Sequence, residues 1–210
     1  MGKLSSAKMT NEELITQIIA VGILKTREIT EAFYAVDRAD FVPSDNLSEA
    51  YEDYPLSIGY SQTISQPSTV AFMLELLGPK SGDKILDVGS GSGWTTALLA
   101  RIVGPSGRVL GVEIVPELAK LGQENLARYS FAHAKIHQAG ISLGFPEEAP
   151  FDKILVSAAA EQFPSALFDQ LKTGGRMVVP VQNSVFTADK TAEGEILKEE
   201  FTGFVFVPLK

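Results

Sequence analysis

Nine residues, Ile85-Leu86-Asp87-Val88-Gly89-Ser90-Gly91-Ser92-Gly93, leave this chain few folds to choose from. An apolar run with the character of a buried strand breaks into three glycines at alternate positions, and helical spacing follows over Trp94–Val103. Glycines there let the backbone turn tightly and let a ligand come close to it. An ordinary strand-to-helix turn has no use for three of them, because each adds conformational entropy that folding must overcome. Downstream, short apolar runs at Val109–Val112, Ile154–Val156 and Met177–Val181 alternate with helical patterns at Pro116–Tyr129 and Pro164–Leu171. Strands alternating with helices predict an α/β fold with a doubly wound, mostly parallel sheet.

The residues before this region have a different grammar. Residues 1–9 read as a small, polar lead-in. Thr10 and Glu13 form a capping box, Leu14, Ile15, Ile18 and Ile19 repeat at helical spacing, and Gly22 ends the pattern. A second helix fits Arg27–Val36, with Ile29, Phe33 and Val36 as its buried side, and Pro43 stops further helix. Residues 44–65 show little periodicity, and a loop this long in a compact chain is functional or disordered. A third helix runs from Gln66 to Leu77 with Pro67 in its first turn. At the other end, Ala188–Gly194 reads as a polar turn and Phe201–Val207 as a strand, an antiparallel hairpin on the sheet's edge.

Composition removes several classes of function. The chain of 210 residues has no cysteine, which excludes disulfides, a thiolate nucleophile and Cys-ligated metal. His133 and His137 are its only histidines, and they read as a surface pair flanking the third strand, so no metal site is expected. A net charge of −8 offers no basic stripe for nucleic acid. No apolar run approaches the ~20 residues needed to span a bilayer, and no signal-peptide core is present. Met1-Gly2-Lys3-Leu4-Ser5-Ser6 fits the loose myristoylation pattern, but a plain lead-in is the preferred reading. A cytoplasmic monomer without membrane or nucleic-acid partners is expected.

Spacing selects the ligand. A dinucleotide site wants G-x-G-x-x-G, whereas here Gly93 comes one position early and Trp94 takes the expected slot. A Walker loop needs Gly-Lys-Ser/Thr, which is absent. Asp87 at the strand's end repels phosphate and suits a cationic or amine-bearing ligand. Glu113 ends the next strand about 20 residues past Gly93, where a carboxylate grips ribose hydroxyls. Alone, Glu113 reads as any exposed acid after a strand. Together with Asp87, Gly89, Ser90, Gly91 and Gly93 it points to S-adenosyl-L-methionine: a ribose and an adenine, no phosphate, and a positive sulfonium.

Two further runs, Ala50-Tyr51-Glu52-Asp53-Tyr54-Pro55-Leu56-Ser57-Ile58-Gly59 and Gln62-Thr63-Ile64-Ser65-Gln66-Pro67, carry a resemblance. With Pro150-Phe151-Asp152-Lys153-Ile154, Ser157-Ala158-Ala159-Ala160 and Leu171-Lys172-Thr173-Gly174-Gly175-Arg176-Met177, they make residues 12–182 resemble the protein-L-isoaspartate (D-aspartate) O-methyltransferase family, with a weaker echo at Phe206-Val207-Pro208-Leu209. The resemblance implies a class I S-adenosylmethionine-dependent methyltransferase fold, Rossmann-like. It implies a helical and substrate-loop extension over 1–80 and a cofactor-binding domain over 81–210, built as one compact unit. It also implies methyl transfer to the stray carboxylate of isoaspartyl residues in damaged proteins or peptides, beginning their repair. Leu56, Ile58, Thr63 and Ile64 then belong to the substrate side, and Ser65 orients the acceptor carboxylate. Ser65 alone also reads as the N-cap of the helix after it. A carboxylate is anionic near neutral pH and needs no general base, so a chain poor in histidine and free of cysteine still suffices for this chemistry.

Three positions depart from the family's pattern. Gly140 stands in Ala139-Gly140-Ile141 where an aspartate accepts from the adenine amino group; loss of that bond costs roughly 1–3 kcal/mol unless Gln138 or the backbone replaces it. Ser61 stands for a glycine and Asp37 for a proline. Gly140-Ile141-Ser142-Leu143-Gly144 matches a nucleophile-elbow pattern, but Pro146 and Pro150 oppose the helix it needs and both histidines precede Ser142, so a serine hydrolase is rejected. A nucleic-acid methyltransferase lacks its basic surface here. A methyltransferase for another carboxylate or a small molecule, and a degenerate cofactor- or peptide-binding protein, remain as alternatives.

Overall fold

The computed structural model describes residues 8–210; the myristoylation-like pattern at residues 1–6 lies outside the described residues. The first helix opens with the capping box. The Thr10 hydroxyl accepts from the Glu13 amide at 3.2 Å, and the Thr10 amide donates to the Glu13 carboxylate at 2.8 Å. This opens α1 (Asn11–Ala20), which Val21 caps and Gly22, at φ +75°, ends as its position predicts, and α2 (Arg27–Ala35) follows. Residues 44–65 hold a 3-10 turn over Ser44–Glu49 and a small antiparallel ribbon, β1 (Leu56–Gly59) and β2 (Gln62–Ile64). Strands this short cannot display a period of two, which is why the segment reads as loop. In α3 (Pro67–Leu77) the N-cap is Gln66, not Ser65. The capping bond comes from the preceding loop instead, where Asp53 accepts from the Ser68 amide at 2.8 Å.

The main sheet is built from β3 (Lys84–Val88), β4 (Arg108–Glu113), β5 (Ala134–Gln138), β6 (Phe151–Val156), β7 (Leu171–Val181), β8 (Ser184–Lys190) and β9 (Ile196–Thr202). Its order is β5-β4-β3-β6-β7-β8-β9; the first five are parallel and the last two antiparallel. Alternation sorts side chains into two cores. Ile85, Val109, Leu155 and Val178 pack with α1, α2, α3, α4 (Trp94–Val103) and α5 (Pro116–Ala127). Leu86, Val88, Leu110, Val112, Ile154 and Val156 face the other way, against α6 (Ser165–Phe168) and the loops around Leu143 and Phe145. Leu14 and Ile15 of α1 share one core with Ile85, so the N-terminal helices and the sheet fold around common apolar residues.

Three expected elements change. The helix at Pro164–Leu171 is a single turn, because Leu171 already pairs with Phe151 as the start of β7. Ala188–Lys190 belong to β8, and the turn is confined to Thr191–Glu195, closed by Thr191 N to Glu195 O at 2.9 Å. The last strand is Ile196–Thr202 rather than Phe201–Val207. Register with β8 sets it, and Phe201 and Phe204 pack on Phe72 instead of alternating across a sheet. No helix among the described residues is long and apolar enough to cross a membrane.

Candidate active site

The chain runs outward from β3 through β4 to β5 and returns to β6 on the other side of β3. Such a reversal opens a crevice at the carboxyl ends of the strands, where open α/β sheets bind ligands. Here it holds a cavity of about 590 Å³, within the ~300–1,000 Å³ range of small-molecule sites.

The glycine turn forms its floor. Gly89 and Gly91 have φ of +77° and +52°, conformations that favour glycine. A Cβ on Gly91 would stand 3.2 Å from Ile58 Cδ1, so the turn meets the β1–β2 ribbon directly. Gly93, expected at the ligand, does not line the cavity. A Cβ there would come within 2.8 Å of the Gly122 carbonyl, so it serves the close packing of α4 on α5.

Glu113, buried at the end of β4, does line the cavity. Its two oxygens accept from the Gly91 and Val115 amides, each at 2.9 Å, which fixes the carboxylate against the glycine turn. Its remaining lone pairs suit a pair of hydroxyls. Asp87 lies behind the lining. It is wholly buried, and one oxygen accepts from Thr95 at 2.7 Å and Thr96 at 2.6 Å. Its other oxygen has no partner among the described residues, and burial pushes its carboxyl up to about 6. Ser90, which does line the cavity, also has a buried hydroxyl without a partner among the described residues. A fixed carboxylate, a spare hydroxyl and a buried acid next to a glycine cradle fit a nucleoside ligand that carries hydroxyls and a cation.

Ile58, Gln62, Thr63, Ile64 and Ser65 form a second wall. Leu56, assigned with them from sequence, shares the core with Ile58 and Ile64 but is absent from the lining. Gly140 lines the opposite side, and a Cβ added there meets nothing within 4 Å. Beside it opens a recess of about 410 Å³ that includes Gln138 and Phe145.

The C-terminal residues Val207–Lys210 also line the cavity, a contribution that sequence periodicity misses. Ala159 holds them, its amide donating to Val207 O and its carbonyl accepting from Leu209 N, both at 2.8 Å. Only the echo at Phe206–Leu209 pointed to that segment. The two histidines stay out of the site and are half-buried rather than on the surface: His133 Nε2 lies 2.9 Å from the Ala100 carbonyl, and His137 packs edge-on against Phe145. Among the described residues no group of three or more His, Cys, Asp or Glu is placed to hold a metal.

A parallel sheet with a switch-point cavity, a glycine turn as its floor and an acid on the neighbouring strand define a Rossmann-like methyltransferase. The protein-L-isoaspartate(D-aspartate) O-methyltransferase family model matches residues 9–210, and the chain belongs to that family. It is similar to the protein-L-isoaspartate O-methyltransferases of Methanopyrus kandleri, 42% identical over 96% of this chain and 92% of that protein, and of Ignicoccus hospitalis, 44% identical over 94% and 95%. A Plasmodium falciparum crystal structure assigned to this family, in complex with S-adenosyl-L-homocysteine, superposes with a TM-score of 0.86 at 27% identity, covering 96% of this chain and 99% of that one.

Proposed function

We propose that this protein transfers a methyl group from S-adenosyl-L-methionine to the free carboxylate of L-isoaspartyl and D-aspartyl residues in damaged proteins or peptides, the step that initiates their repair. The observation that carries the reading is the meeting of two walls in one cavity: the glycine turn with Glu113 on one side and the Thr63-Ile64-Ser65 wall on the other, in contact through Gly91 and Ile58.

When bound, S-adenosylmethionine supplies a methyl group activated by its sulfonium, which an acceptor carboxylate oxygen takes without a general base. The protein's task is then alignment and the exclusion of water. Glu113, fixed by two backbone amides, holds the ribose hydroxyls. Gly89, Ser90 and Gly91 give the cofactor close access to the backbone, and Asp87 contributes negative charge from behind the floor. Ser65 orients the acceptor carboxylate, with Ile58, Thr63 and Ile64 beside it. Residues 1–80 supply this acceptor side and 81–210 the cofactor side. The protein acts as a cytoplasmic monomer without nucleic-acid partners, a reading supported by its net charge of −8.

The test is a methyl-transfer assay on an isoaspartyl peptide beside its normal aspartyl twin. Methylation of the first alone is expected. Protein that binds S-adenosylmethionine yet methylates no isoaspartyl peptide at saturating cofactor is instead a binding protein, and this reading falls.

A further inference from the structure

Arg38 is wholly buried, yet among the described residues no carboxylate makes an ion pair with it. A buried cation is costly unless its donors are satisfied. Here backbone carbonyls take the four Nη donors, and Nε alone has no partner among the described residues. Nη1 donates to Ala50 O at 2.7 Å and to Glu52 O at 3.2 Å, and Nη2 donates to Tyr54 O at 3.0 Å and to Ser65 O at 3.2 Å. The first three carbonyls precede β1 and the fourth follows β2. One planar guanidinium therefore closes the loop that carries the acceptor wall at both of its ends. The same group lies 5.6 Å from the ring centroid of Trp94, which opens α4 straight after the glycine turn and lines the cavity.

We infer that Arg38 is a positioning residue for methyl transfer: its guanidinium clamps residues 50–65 and sets Ser65 at a fixed distance from the glycine turn. The inference rests on the proposed function, since the acceptor wall matters only if an acceptor binds there. Lysine cannot replace the clamp, because an ammonium is a single point charge whereas the guanidinium offers donors in a rigid fork. Misplacement of reacting groups by about 1 Å can cost on the order of 100-fold in rate. Loss of the clamp should thus fall on the acceptor side and spare the cofactor.

The experiment compares Arg38→Lys and Arg38→Met with wild type. Arg38→Met removes the buried charge together with its donors, so it keeps the test open if Arg38→Lys fails to fold. We expect kcat/KM for an isoaspartyl peptide to fall about 100-fold while S-adenosylhomocysteine affinity stays within about threefold. Amide exchange should quicken over residues 50–66 and remain unchanged in β3 and β4. In Arg38→Ala, millimolar guanidinium, far below denaturing concentrations, should restore activity and the emission of Trp94, the chain's single tryptophan. Unchanged kcat/KM, a parallel loss of cofactor affinity, or uniform exchange across the molecule would overturn the inference. If wild type itself methylates no isoaspartyl peptide, the proposed function falls, and the clamp is then judged by the exchange pattern alone.

Discussion

Gly140 leaves space on the cavity wall that an aspartate would fill, since a Cβ added there would have no atom within 4 Å and the residue's φ is not in the left-handed region. Gly140→Asp should therefore fold normally and gain an acceptor for the adenine amino group. We expect S-adenosylmethionine to bind about tenfold more tightly by calorimetry, the equivalent of 1.4 kcal/mol, with turnover at saturating cofactor unchanged. No tightening would mean that Gln138 or the backbone already meets that group. Asp87 gives a second residue-scale test, through pH. Burial raises its carboxyl from 3.8 to about 6, so the folded protein holds this proton more tightly than the unfolded chain does. Stability from this group is present at low pH and is lost as pH rises from about 4 to about 6, by roughly 2–3 kcal/mol. Asp87→Asn removes that dependence. Urea unfolding near pH 4 and near pH 7 should show the variant gaining on wild type by that amount at the higher pH; a constant difference would refute the assignment.

The β1–β2 ribbon carries its own strain. Tyr60 and Ser61, its two turn residues, have φ of +54° and +58°. Both central positions of such a tight hairpin turn require the left-handed region, which costs a non-glycine residue about 1–2 kcal/mol. Ser61→Gly relieves one of them, partly offset by the greater entropy of glycine in the unfolded chain. A net gain of about 0.5–1 kcal/mol is expected in the urea midpoint, with cofactor affinity unchanged because Ser61 sits at the exposed tip outside the cavity lining. A less stable variant would show that Ser61 has a role in the ribbon beyond its backbone. Asp37 is the contrary case. Its amide donates to Tyr129 Oη at 3.0 Å and its carboxylate accepts from the Ala39 amide and Tyr51 Oη, bonds that suit an aspartate, and a proline has no amide to donate.

On the scale of the whole molecule, Leu14, Leu74, Ile85, Leu126 and Val178 lie in one continuous core. The N-terminal extension and the sheet should consequently melt in a single transition. A ligand that binds only the folded state adds about 2.7 kcal/mol at a hundred times its dissociation constant. For a chain of this size each kcal/mol is worth about 2–4 °C, so saturating S-adenosylhomocysteine should raise Tm by about 5–10 °C, as one transition, in a thermal scan. NAD should leave Tm where it is, and so should duplex DNA, given the net charge of −8. Two separable transitions, with only one shifted by ligand, would mean that the two parts are independent.

Features whose causes lie within a dozen residues of one another were legible in the sequence. The capping box of α1, the bounds of α4 at Trp94 and Val103, and the glycine turn after β3 follow from spacing, glycine content and the absence of competing signals. The parallel architecture follows too, since β3, β4 and β6 are largely buried on both faces and read as apolar runs, whereas the edge strand β5, with Lys135 and Gln138 exposed, does not. Short or exposed elements were not: β1 and β2 are too brief to show alternation, and β9 is exposed along nearly its whole length, so its pattern carries no core face. Placement around the cavity divided the same way. Glu113, Gly89 and Gly91, which line the cavity, stood out by their distance along the chain, whereas Leu56 looks like its cavity-lining neighbour Ile58 until the fold leaves it out of the lining. Gly93 looks like a ligand glycine until Gly122 is seen against it, and Arg38 looks like a surface cation until Ser65, 27 residues away, is found accepting from it. Each of these was decided by a contact between segments far apart in the chain, and local spacing holds no record of which distant backbone atom a side chain will meet.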